Sequence, residues 1–256
     1  MRDSSPRRSV IGRGLSLLEA FSVARPQLTL GELSRRSGVP TSSASRLVAD
    51  LLAWGALERG ADGRLRIGLR VWEVGTLARR GYTLRDAALP SMEDLSAVVG
   101  GHVQLTIHDA GQVVYMEVLP DPGTVQIASR VGGRLPLHAT GSGQVFLAAM
   151  TPPELEHALQ QPLRRYTRHT VTDPDRLRRL VAEVRRSGVA VVREAVGPGV
   201  TSVAVPVRDP TGPVTASLSV VVDVAVDVRP LVPALRAAAL GVTRRLVAPV
   251  QPLAGY

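Results

Sequence analysis

The sequence predicts an α+β protein in two parts, a small N-terminal winged helix-turn-helix and a larger domain of helices packed on an antiparallel sheet. Three observations carry this. Thr29 to Gly55 reads as helix, sharp turn, helix; two short strand-like runs joined through Asp62-Gly63 follow it directly; and from His102 onward most of the apolar pattern switches to period two before a last helical stretch. At 256 residues the chain has room for two modest domains, and 45% hydrophobic residues is ordinary globular composition.

Residues 1–8, with Pro6, Arg7 and Arg8, read as a flexible basic arm able to touch phosphates. A helix over about 10–24, with Ile11, Leu15, Leu18 and Phe21 on one side, is expected to complete a three-helix core. Thr29 and Glu32 have capping-box spacing, so a helix should run from Leu30 to Ser37. Gly38 permits a left-handed corner and Pro40 stops the helix from continuing. From Thr41, Ala44, Leu47, Val48 and Leu51 form one apolar stripe, leaving Ser42, Ser45, Arg46 and Ala49 on the other side. Strands over 56–59 and 64–69 should form a hairpin whose turn takes positive φ angles from Asp62-Gly63, with Leu65, Ile67 and Leu69 on one face and Arg64 and Arg66 on the other. Residues 9–70 would be this domain, and 71–83 a linker helix.

Residues 84–256 are expected to form the second domain. A helix over 84–99 carries Ala87, Leu89, Met92, Leu95 and Val98, with an offset or fresh start at Pro90. Strands are expected over 102–108 and 112–118, joined through Asp109-Ala110-Gly111, and over 124–131. A Gly-rich loop, 132–143, leads to helices over 144–150 and 154–160, and Asp173 or Thr172 caps a helix from Pro174 to Ser187 that ends at Gly188. Strands over 189–193, 201–208 and 214–222 and a helix over about 230–247 finish the chain.

Charge separates the two parts. Residues 1–82 hold 14 arginines and 7 acidic residues, a balance of +7, whereas residues 83–256 hold 17 and 15, a balance of +2. A field concentrated on the winged helix attracts polyanions and strengthens binding through counterion release, which points to double-stranded DNA. There is no cysteine, which excludes disulfides and thiolate chemistry, and no apolar run reaches the length of a membrane span. The N-terminus lacks the apolar core of a signal peptide, so a cytoplasmic protein is expected.

Small hydroxyl side chains and an arginine at the start of the second helix of a helix-turn-helix suit the major groove, where hydroxyls and amides meet phosphates and a guanidinium fork meets guanine. Thr41, Ser42, Ser43, Ser45 and Arg46 are the candidate DNA contacts, with Arg35 and Arg36 on the preceding helix and Arg64 and Arg66 in the wing. In the second domain Ser142 lies in GSG, but Thr140 stands where a G-x-S-x-G elbow needs glycine. The five histidines have no zinc-ligand spacing, and no acid-base pair or phosphate loop stands out, so no cofactor, metal or enzymatic activity is expected. A small-molecule pocket is expected instead around His138–Gly143, with Thr140, Gly141 and Ser142. Ser217, Ser219 and Val221 alternate onto one strand face, and Ser202 lies on its hairpin partner. Two alternatives stay open from the residues alone: an enzyme tethered to nucleic acid, which turnover would reveal, and an architectural or protein-interaction module, which binding indifferent to metabolites would reveal.

The chain resembles the IclR family of transcriptional regulators through LTLGELSRRSGVPTSSASRLVADLLAWGALER and GRLRIGLRVWEVG, then VGGRLPLHATGSGQVFLA, RYTRHTVTDPDRL and REAVGPGVTSVAVPVRDPTGPVTASLSV, in the family's order and spacing. The resemblance implies a winged helix-turn-helix, a linker helix and a GAF-like effector-binding domain. It also implies a dimer or a dimer-of-dimers tetramer on an inverted-repeat operator, acting as repressor or activator under a small organic acid or aromatic catabolite. Carried over, it places DNA contacts at Ser42, Ser43, Ser45, Arg46, Arg64 and Arg66, and effector contacts at Gly141, Ser142, Ser202, Ser217 and Ser219. Ser202 stands where some members have cysteine, and Val192 and Val221 stand at polar ligand positions of some relatives, which disfavours a very small, highly charged acid. Arg130 and Arg134 would be available to neutralise a carboxylate.

Overall fold

A computed structural model of the chain describes residues 9–77, 79–209 and 211–247, so the basic arm over 1–8 lies outside the described residues. The chain divides into two compact units, residues 1–79 and 80–256.

In the first unit, helix α1 (Val10–Leu18) starts under the Ser9 side chain, which accepts from the Gly12 amide at 3.0 Å. It is shorter than expected. The Arg36 Nε donates to the Ala20 carbonyl at 2.7 Å, occupying the acceptor that another helical turn would use, and a tight Ser22–Arg25 bridge turns the chain. Its inner face also differs: Leu17 and Ala20 are buried with Leu18 and Phe21 packed beside them, while Ile11 and Leu15 are exposed. Strand β1 (Gln27–Leu28) was not anticipated; two residues are too few to show alternation, and pairing with a later strand defines it.

Helix α2 (Leu30–Ser37) has the expected capping box, with Glu32 Oε2 accepting from the Thr29 amide at 2.7 Å, and ends at left-handed Gly38. Helix α3 (Thr41–Trp54) buries Ala44, Leu47 and Val48 against Leu33 and Leu17. Strands β2 (Leu57–Arg59) and β3 (Leu65–Ile67) complete a sheet ordered β1-β3-β2. In the wing turn only Gly63 takes positive φ (76°); Asp62 instead accepts from the Arg64 amide through its carboxylate at 3.1 Å. Leu69 does not extend β3. It opens helix α4 (Leu69–Thr76), whose first amide donates to Glu58 Oε1 at 3.0 Å. The linker expected over 71–83 falls on α4, a turn at Leu77 and the beginning of α5 (Arg79–Ser96), with Ala78 outside the described residues.

In the second unit α5 runs through Pro90 without the expected restart, burying Leu84, Ala88, Met92 and Leu95 on one side. Strands β4 (His102–Asp109) and β5 (Gln112–Leu119) form a hairpin whose two loop residues, Ala110 and Gly111, both have positive φ. The strand expected over 124–131 is absent: this segment spends polar groups on side chains of β4 rather than on a backbone ladder, as Val125 O bonds His102 Nε2 and Ser129 Oγ accepts from Gln104. Strand β6 (Arg134–Pro136) pairs with β5 in its place. Helices α6 (Gly141–Ala149), α7 (Pro152–Gln160) and α8 (Pro174–Ser187) follow, then β7 (Ala190–Arg193), β8 (Val200–Arg208), β9 (Val214–Asp223) and α9 (Leu231–Val247).

The six strands make one antiparallel sheet ordered β6-β5-β4-β9-β8-β7. Val103, Leu105, Leu218, Val220, Val203 and Val205 project from one face into a core shared with α5 and α9. By strand alternation the opposite face presents Gln104, Thr106, Ser217, Ser219, Ser202 and Val221, and α6 lies over part of it.

Candidate functional site

Two places gather the expected functional residues, one in each unit. In the first, α3 begins at Pro40 with no capping side chain, so its opening amides are left available to an incoming acceptor. Thr41, Ser42, Ser45 and Arg46 are exposed on its outer side and Ser43 is half-buried. Arg46 makes no ion pair or hydrogen bond among the described residues, whereas Thr41 Oγ1 shares a 3.0 Å bond with Ser34 Oγ that tightens the corner.

The other arginines are less free. Arg36, although exposed, spends its Nε on the α1 terminus; Arg35 is exposed without such a bond. In the wing, Arg64 pairs with Glu32 at 3.4 Å, and the Arg66 Nη2 meets Glu58 Oε2 at 2.8 Å. Glu58 and Glu32 are held below the usual carboxylate range, chiefly by accepting from backbone amides, of Leu69 and Thr29 respectively, with their arginines adding to the effect.

In the second unit a small cavity of about 80 Å³ lies against the polar face of the sheet. Four of the expected effector residues line it: Thr140, Val192, Ser202 and Val221. Val192, Ser202 and Val221 are cross-strand neighbours on β7, β8 and β9, which explains how positions 192, 202 and 221 meet. Gly141 and Ser142 open α6 beneath Thr140, whose hydroxyl accepts from the Gly143 amide at 3.0 Å. A Cβ at Gly143 would lie 2.1 Å from the Leu137 carbonyl, and one at Gly141 would lie 2.8 Å from Ser202 Oγ, so both glycines allow close approach of α6 to what it packs on.

Five expected residues fall outside the cavity lining: Gly141 and Ser142 at the start of α6, and Ser217, Ser219 and Arg130. Ser217 is fully buried and donates to the Val205 carbonyl at 3.1 Å; Ser219 donates to Gln104 Oε1 at 3.4 Å; Arg130 is exposed on the loop before β6. Arg134 is paired with Asp109. The cavity brings in residues that sequence patterning did not single out: Gln104 and Tyr115 on its floor, Ser129 on the crossing loop, and Glu194 at the end of β7. Alternation on β4 already placed Gln104 and Thr106 on one face, and two polar side chains on the inward side of a strand were the available signal. Nothing in the sequence set Tyr115 apart from a core aromatic.

The far wall is buttressed. Thr167 Oγ1 donates to the Glu194 carbonyl at 2.6 Å, Thr170 Oγ1 to the Ala195 carbonyl at 2.6 Å, and the Glu194 carboxylate accepts from the Gly199 amide at 3.0 Å. Glu194 takes a left-handed conformation (φ 52°), which that set of bonds maintains. A larger cleft of about 970 Å³, lined by His108, Phe146, Glu154 and His157 among others, holds none of the expected effector residues. Among the described residues no group of three or more potential ligands is placed to hold a metal, and no helix is long and apolar enough to cross a membrane.

Residues 78–244 match the family model of the bacterial transcriptional regulator IclR C-terminal domain, and residues 10–61 match that of the IclR helix-turn-helix domain. The chain belongs to the IclR family. An IclR homologue from Microbacterium hydrocarbonoxydans, crystallised with 4-hydroxybenzoate, is 39% identical with a TM-score of 0.88, covering 93% of this chain and 99% of its own. The transcriptional regulator KipR of Bacillus subtilis is 28% identical over 84% of this chain and 86% of its length. The Pca regulon regulatory protein of Pseudomonas putida is 28% identical over 82% and 72%. IclR-family proteins are transcriptional regulators and not enzymes, and the α+β architecture matches that of IclR homologues. Placed in this family, α3 is the second helix of the IclR helix-turn-helix, and the cavity lies in its C-terminal domain.

Proposed function

We propose that this IclR-family regulator binds an inverted-repeat operator as a homodimer, or as a tetramer of two dimers, and that a single-ring aromatic acid in the small cavity controls that binding. The observation that carries the reading is the outer face of α3: open first-turn amides, exposed Ser42 and Ser45, and an Arg46 that no carboxylate among the described residues has claimed. Hydroxyls and amides fix register on phosphates, and a free guanidinium fork is suited to the O6 and N7 edge of guanine. Arg35, Ser43 and Thr41 stand beside this face, and Arg64 and Arg66 are placed for the wing's backbone contacts, where ion pairing leaves them weaker.

The effector class is supported by the 4-hydroxybenzoate held by the 39% identical homologue, and the choice of cavity by the four expected effector residues that line it. Cytoplasmic location follows from this reading as the compartment of the DNA. Fluorescence anisotropy with duplex from the region upstream of the gene, against scrambled duplex at equal salt, tests it. Preferential binding that changes on adding 4-hydroxybenzoate is expected; equal affinity for both duplexes with and without the acid would reject it.

A further inference from the structure

Among the described residues lining the small cavity there is no arginine, lysine or histidine, and the one charged residue is Glu194. A ligand carboxylate placed there would leave water without a cationic partner, and a neutral donor has to replace its lost hydration. Several polar groups of the lining already have partners within the protein. Thr140 Oγ1 is used twice, donating to the Pro136 carbonyl and accepting from the Gly143 amide. Gln104 donates to Ser129 Oγ and accepts from Ser219 Oγ. Glu194 holds the Gly199 amide and faces His169 at 3.4 Å.

The side chains of Ser202, half-buried, and Gln126, exposed, have no hydrogen bond among the described residues, and Tyr115 is the most deeply buried lining residue in that position. Its side chain is 4% exposed, packed between Leu137, Phe146 and Val113, yet its hydroxyl has no hydrogen-bond partner among the described residues, and it lines the cavity. A phenol whose ring is buried and whose hydroxyl opens onto a cavity keeps hydrogen-bonding capacity that a bound group can take up. The backbone of Tyr115 is firmly placed, its amide donating to the Gly133 carbonyl and its carbonyl accepting from the Gly132 amide, so the ring is a fixed fixture and the open valence is at its tip.

Resting on the effector class argued above, we propose that the Tyr115 hydroxyl recognises the effector, donating its proton in a hydrogen bond to the ligand's carboxylate oxygen and substituting for the cationic side chain that the cavity lacks. Burial holds this phenol above its ordinary range, so it stays a protonated donor at neutral pH. The Glu194 carboxylate, on the β7 flank of the sheet while Tyr115 is on the β5 flank, disfavours the reverse orientation by repulsion and leaves its own end to a ligand donor such as a ring hydroxyl.

The test is Tyr115→Phe in the full-length protein, titrated by calorimetry with 4-hydroxybenzoate and with its uncharged methyl ester, alongside thermal unfolding without ligand. The proposal expects binding of the acid to weaken roughly 10- to 100-fold, the range for a hydrogen bond to a charged group, and binding of the ester to weaken less. Because the hydroxyl bonds nothing among the described residues, the unfolding temperature of the ligand-free variant should match the wild type. A lowered unfolding temperature would show that the hydroxyl has a structural partner, and unchanged affinity for the acid would show that it does not touch the carboxylate; either overturns the assignment. Wild-type protein that binds neither the acid nor the ester would reject the effector class, and this role with it; wild-type binding with no effect of Tyr115→Phe rejects this role alone. A second measurement guards against misfolding: in wild-type protein, benzoate should bind more tightly than benzamide if a donor reads the anionic end, and equal affinities would contradict it.

Discussion

The outer face of α3 and the small cavity of the second unit are built in opposite ways. The α3 face is local: Ser42, Ser45 and Arg46 lie within one helical turn and a half, exposed, and no side-chain hydrogen bond or ion pair among the described residues occupies them. The cavity is assembled from residues as far apart as 104, 140 and 221, and Gln104, Ser129, Thr140 and Glu194 in it are already bonded to other parts of the protein. An exposed reading surface needs only a helix and a core behind it. A binding cavity needs the whole sheet, its crossing loop and the buttress from Thr167 and Thr170.

Substitutions should separate these two designs. Gly143→Ala should have the largest effect, because its Cβ would meet the backbone carbonyl of Leu137 at 2.1 Å, where no side-chain rotation relieves the contact. A destabilisation of about 3 kcal/mol or more is expected, read as a lower midpoint for the second unit in chemical denaturation. Next, Arg46→Ala should weaken operator binding by about 1–3 kcal/mol while leaving thermal stability unchanged, as anisotropy and calorimetry would show. Unchanged affinity would remove Arg46 from the reading face.

Arg66→Ala should cost less than about 1 kcal/mol in operator binding, since this side chain already shares its charge with Glu58 and binding DNA must compete with that pair. A loss as large as that of Arg46→Ala would erase the distinction between free and paired arginines. The smallest effect concerns pH. Burial lowers the pKa of His138 and of His108 from 6.5, so the unfolded chain binds more protons than the folded one near that pH. Stability from these neutral imidazoles is therefore present above about pH 6.5 and is lost as pH falls below it. Unfolding temperatures at pH 7.5 and 5.5 should differ in that direction, and His138→Gln should reduce the difference.

Local chemistry was the readable part of the sequence. The capping box at Thr29 and Glu32, the stripe from Ala44 to Leu51, and the Asp173–Gly188 helix limits all depend on residues within a turn of one another, and all are found where expected. Failures came where a distant partner decides. Helix α1 stops early because Arg36 takes the Ala20 carbonyl, β1 exists only through β3, and the segment 124–131 gives its polar groups to His102 and Gln104 instead of a strand partner. For the cavity, Thr140, Val192, Ser202 and Val221 were legible through strand alternation and the resemblance. Tyr115 was not, since a tyrosine whose ring packs in a core and whose hydroxyl is left open has no distinguishing pattern in one dimension.

The claim on which the rest depends is that the cavity and the α3 face are energetically coupled. Reciprocal titration measures it directly: operator affinity with and without saturating 4-hydroxybenzoate, and acid affinity with and without saturating operator duplex. Coupling requires the two ratios to be equal and different from one, with a typical size of about 5- to 150-fold. Ratios of one, with each ligand binding normally alone, would show two independent sites and contradict it.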